Sequence, residues 1–78
     1  MNTWQIWVKR LGQERYKDAV PIQRPDAPKE GMELSVPVPG NMIRAVITVT
    51  LFSRPLKNRA REYHVRAEEI LPRASPMA

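Results

Sequence analysis

Residues 31–54 read GMELSVPVPGNMIRAVITVTLFSR, and the order of apolar and polar side chains in this stretch decides the fold class. From Ile43 every second residue is apolar: Ile43, Ala45, Ile47, Val49 and Leu51 fall on one face, with Arg44, Thr48 and Thr50 among those on the other. A period of two is the signature of a half-buried strand. Upstream, Met32, Leu34, Val36 and Val38 alternate with Glu33, Ser35 and Pro37, so a second strand precedes Pro39-Gly40.

A two-residue loop at Pro39-Gly40 sets Val36 opposite Ile43, Leu34 opposite Ala45 and Met32 opposite Ile47, core face to core face. Proline cannot adopt the positive φ that primed hairpin turns need at its position, which leaves a four-residue loop over 39–42 equally open. Both loops keep the match, because a register shift of two returns each side chain to its own face. Pro37 has no N–H for a ladder and belongs at an edge or a bulge. Extended throughout, 42–53 spans about 40 Å at ~3.3 Å per residue, about twice a usual strand. Strands of that length bend, and small barrels use one bent strand in both halves of a closed sheet.

Toward the amino terminus, TWQIWVKRL places Trp4, Ile6 and Val8 on one side of a strand. Trp4, Trp7, Val8 and Leu11 also fit a helix stopped by Gly12, which is the rival reading. With the strand, Gly12-Gln13 turns the chain into a second strand near 15–22, and the proline-rich PIQRPDAPKEG is an irregular loop. SRPLKNRAREYHVRAEEIL fits a helix through Leu56, Ala60, Tyr63, Ala67 and Ile70, or a closing strand with Tyr63, Val65 and Ala67 on one face. Open strand edges need a partner, which favours the strand.

The expected fold is therefore mainly β, a small five-stranded barrel or strongly bent antiparallel sheet over residues 1–71, with 72–78 a disordered tail. The alternative is α+β with a helix over 55–71. The order of strand, strand, proline-rich loop, tight hairpin and closing strand resembles an SH3-like small β-barrel over residues 3–71. This resemblance is one of strand pattern and carries over no family's functional residues.

Seventy-eight residues bound the chain to one domain. There is no cysteine, whereas small secreted domains are usually disulfide-rich, so a cytoplasmic setting is expected. No apolar run reaches the roughly 18 residues of a membrane span, and MNTWQIWVKR lacks the order of a signal peptide; no membrane partner is expected.

Catalytic signals are missing. His64 is the single histidine, too few for a metal site of several converging ligands, and no phosphate-binding or nucleophile motif occurs. Glu62 shares a strand face with His64, an arrangement expected to be a solvated pair. The chain is thus expected to be no enzyme and to need no cofactor and no metal.

Binding surfaces remain. Thirteen Lys and Arg against eight Asp and Glu give a net charge of +5, which favours polyanions. A basic binding module would contact nucleic acid through Lys9, Arg44, Arg54, Lys57, Arg59 and Arg61, with outward Trp7 stacking a base. The alternative is a protein-interaction module or homodimer that buries Trp7, Met42, Val46 and Phe52, or adds a strand near Pro37.

Overall fold

The computed structural model describes residues 1–17 and 19–71; the expected tail over 72–78 lies outside them. Five strands form one sheet: β1 (Asn2–Lys9), β2 (Ala19–Arg24), β3 (Glu33–Val38), β4 (Asn41–Pro55) and β5 (Arg61–Glu69). Their spatial order is β2-β1-β5-β4-β3. The two edge strands approach each other, so the sheet curls into a nearly closed barrel. No α-helix occurs among the described residues, and a short 3-10 turn, Lys57–Arg59, joins β4 to β5. No helix there is long and apolar enough to cross a membrane.

Alternation builds the core. Trp4, Ile6 and Val8 of β1, Leu34 and Val36 of β3, Ile43, Ala45 and Ile47 of β4, and Val65 and Ala67 of β5 are all buried in one cluster. β1 runs parallel to β5, with Trp4 beside Tyr63, Ile6 beside Val65 and Val8 beside Ala67. This parallel pair joins inward residue to inward residue. It also makes the sheet mixed rather than wholly antiparallel.

The β3–β4 hairpin closes through a two-residue loop, with Val38 opposite Asn41 and Val36 opposite Ile43. Gly40 alone supplies positive φ, at 75°, so the turn needs nothing of Pro39 but the φ its ring already fixes. Proline then glycine at the two central positions is the preference of a type II turn. Both edge strands carry a proline within the ladder, Pro21 in β2 and Pro37 in β3, as the missing N–H requires. The second strand starts at Ala19, later than residue 15, and runs on to Arg24. The proline-rich segment is accordingly a loop only from Pro25 onward, and Pro28 within it is buried.

β4 departs from the simple alternation. Its register against β5 slips between Ile47 and Val49 and again between Thr50 and Phe52. Each slip is a bulge that opposes two residues to one and reverses the inward-outward sense. Val49 therefore pairs with Arg66 and is only half-buried, and Leu51 is 41% exposed. The expected inward placement of both is corrected. The second bulge restores the original phase, and Phe52 points outward opposite His64. Past Ile47, whose N–H and C=O still bond Met32 and Gly31, β4 has no β3 partner in the ladder. Its last six residues are exposed along the sheet edge in a β4–β5 arm whose β5 strand is also paired with β1 from Glu62 onward.

Candidate functional site

Outward residues of β1 and β5 alternate with the core residues just described. Parallel pairing sets Gln5 beside His64, Trp7 beside Arg66 and Lys9 beside Glu68. β4 adds Leu51 and Phe52, and the β1–β2 loop adds Tyr16. Trp7, Tyr16, Leu51, Phe52, His64 and Arg66 together line an open concavity of about 490 Å³ on this face.

The walls of the concavity are ordered by ring contacts. Phe52 and His64 stack with centroids 4.2 Å apart and planes 14° from parallel, yet Phe52 remains 53% exposed. Its ring is thus held on one side and wet elsewhere. Arg66 lies over the Tyr16 ring, 5.0 Å from its centroid, with Lys9 at 5.8 Å. Tyr16 donates its hydroxyl hydrogen bond to Glu68, at 3.4 Å.

Carboxylates neutralise many of the cations. Lys9 meets Glu68 at 3.2 Å, Arg44 meets Glu33 at 3.2 Å and Arg54 meets Glu62 at 3.0 Å. Arg61 instead donates to the Ser53 hydroxyl at 3.0 Å. Arg61, Lys57, Arg59 and Arg66 have no carboxylate partner among the described residues. The sequence run from Arg54 to Arg61 is therefore no uniform basic loop. Arg54 and Arg61 are strand residues, and only Lys57 and Arg59 sit on the turn at the tip of the arm.

Glu62 is more than a solvated surface neighbour of His64. Its Oε1 lies 2.7 Å from His64 Nε2, and the two side chains are only 12% and 17% exposed. The hydrogen bond from His64 holds the Glu62 carboxyl below the usual carboxylate range; partial burial opposes this and Arg54 adds to it. Glu69 is lowered first by the hydrogen bond from Arg10, then by that from the Leu11 N–H, so it pins the end of β5 to the β1–β2 loop. Asp26 is lowered chiefly by Arg24.

A carboxylate with a depressed folded pKa contributes stability above its unfolded pKa and loses it as pH falls through the folded value. The urea midpoint is therefore expected to be level near neutrality and to decline once pH drops below about 4.3, the ordinary glutamate value. Glu69→Gln should lower the neutral midpoint and make the acid decline shallower. A midpoint unchanged down to about pH 3 in the parent protein would show that these pairs do not stabilise the fold.

Of the residues expected to form an interface, Trp7 and Phe52 come together in the concavity. Met42, 57% exposed, lines a separate depression with Arg44, and Val46 is half-buried. Trp7 is half-buried on the outer face and is no part of the core cluster. Tyr16, Leu51, His64 and Arg66 join the site without having been marked by the sequence pattern. The outward phase of β5 could have given His64 and Arg66; Tyr16 sits in a loop without periodicity. No group of three or more His, Cys, Asp or Glu able to hold a metal occurs among the described residues.

A scan against protein-family models finds no match, and searches of curated proteins and of solved structures find none either.

Proposed function

We propose that this protein is a non-enzymatic, SH3-like binding barrel that contacts nucleic acid in the cytoplasm, gripping phosphates with the tip of its β4–β5 arm. The observation that carries the reading is the division among its cations. Lys57 and Arg59 on the turn at the arm tip and Arg61 at the start of β5 have no carboxylate partner among the described residues, whereas Lys9, Arg44 and Arg54 each face one. An unpaired cation can neutralise a phosphate without first breaking an ion pair, and such contacts supply most non-specific affinity. The sixfold cation set expected from sequence thus narrows to three, with Trp7 on the same sheet but level with Arg66, five positions along β5 from Arg61.

The test is the salt dependence of binding. A fluorescent single-stranded oligonucleotide should bind at about 50 mM salt and lose more than about tenfold in affinity by about 200 mM. No binding at the lower concentration overturns the reading.

Leu51, Phe52 and Leu56 are all at least a third exposed on the same arm, which favours a second reading as a protein-interaction module or homodimer. The edge of β4 beyond Ile47, which itself bonds Met32 and Gly31, is where a strand would be added, rather than at Pro37. Its two bulges oppose such pairing, since bulges are a usual means of blunting an edge. Light scattering over the micromolar range tests this reading, and a strict monomer that captures no protein partner removes it.

A further inference from the structure

We infer that the concavity on the outer face is a subsite for one unstacked nucleobase and its phosphate, which makes the ligand single-stranded. The inference rests on the nucleic-acid reading above and goes beyond it in naming where a base enters and what form of nucleic acid can supply one.

Three observations converge on this occupant. First, the concavity offers an aromatic surface with a free side. Phe52 is braced by its stack on His64 and is still half exposed, and His64 is in turn held by Glu62 at 2.7 Å. A flat, apolar ligand can lie on a ring whose orientation is already fixed, so little rotamer freedom is lost on binding. Base-on-aromatic stacking uses such a platform and accepts any base.

Second, the charge inside the site is positive. Arg66 lines the wall, propped on Tyr16, with no carboxylate partner among the described residues. A bound cation would be repelled by it, which argues against the methylammonium ligands that aromatic cages otherwise favour. An apolar peptide side chain would leave the guanidinium without an anion, whereas a phosphate beside a stacked base satisfies both groups.

Third, the volume and the position suit a nucleotide within a longer strand. About 490 Å³ lies in the ~300–1,000 Å³ range of small-molecule sites. The concavity opens on the outer face beside the exposed end of β4, which leaves room for the nucleic-acid strand to continue past it. Arg61, three residues from His64 on β5, takes the opposite face, so the phosphate contact inside the site is Arg66. A duplex keeps its bases stacked and paired and cannot place one on Phe52 without first unstacking it.

The experiment compares a fluorescent oligothymidylate with a duplex of equal length, using the full chain and the variants Phe52→Leu and Arg66→Gln. Neither side chain belongs to the core, and unfolding midpoints should stay at the parent value. Each variant should weaken single-strand binding by about tenfold, and the parent should bind the duplex at least that much more weakly. The indole N–H resonance of Trp7 should shift on titration while that of buried Trp4 stays in place. Parent-level single-strand binding by both variants, or equal affinity for duplex, would overturn the subsite and leave the arm-tip grip standing. No binding of any strand at low salt would remove the grip and the subsite together. Self-association that Phe52→Leu abolishes would assign this face to a second copy of the chain and overturn the subsite.

Discussion

Trp4→Ala should come close to unfolding the protein, at a cost of about 3–5 kcal/mol, the range for removing a fully buried large aromatic. A 78-residue domain has only ~4–12 kcal/mol of stability to lose, at about 0.05–0.15 kcal/mol per residue. Trp4 is fully buried between β2 and β5, pairing with Ile22 and Tyr63. Its indole N–H donates to the Asp26 carbonyl at 3.0 Å, and Arg24 lies over the ring. The same truncation at Trp7, three residues away but half-buried on the outer face, should cost clearly less. Guanidinium unfolding of both variants checks this. A larger loss at Trp7 than at Trp4 would mean that the sheet faces are assigned the wrong way round.

That contrast rests on a feature legible in the sequence. The period of two in TWQIWVK, ELSV and IRAVI gave each inward residue its face, and matching those faces across Pro39-Gly40 sets the observed hairpin register. The closing strand was legible for the same reason. Tyr63, Val65 and Ala67 offer an apolar face, and β1 and β4 both lacked a neighbour without it.

Other features lay beyond local pattern. Nothing in ITVT marks the first bulge, because apolar and polar residues alternate through it without a glycine, and the adjacent apolar pair Leu51-Phe52 breaks the alternation without saying which of the two turns outward. Val49 and Leu51 consequently read as core. The parallel pairing of β1 with β5 joins segments some sixty residues apart in the chain, and only that pairing puts Trp7 beside Arg66. The concavity was therefore invisible in the sequence even though Trp7 and Phe52 stood out individually. The pairing of Arg54 with Glu62 likewise follows from the β4–β5 register after two slips. In the sequence, Arg54 belonged with the basic run.

The arm tip gives the other large effect. Replacing Lys57, Arg59 and Arg61 together by Ala should shift stability by no more than about 1 kcal/mol, because exposed charges away from the core contribute little. None of the three carries an ion pair among the described residues, and Arg61 retains its backbone N–H bond to Asn2 at 3.0 Å after truncation. Binding should respond far more. Each cation that neutralises a phosphate contributes about 0.7–0.9 to the slope of log affinity against log salt.

The decisive measurement is that slope, taken with a single-stranded oligonucleotide for the parent chain and the triple variant across about 50–200 mM salt. The expected result is a slope shallower by about two to three units in the variant, with lower affinity at every salt concentration and an unchanged unfolding midpoint. Equal slopes and equal affinities in two equally stable proteins would contradict the claim that the β4–β5 arm holds phosphate.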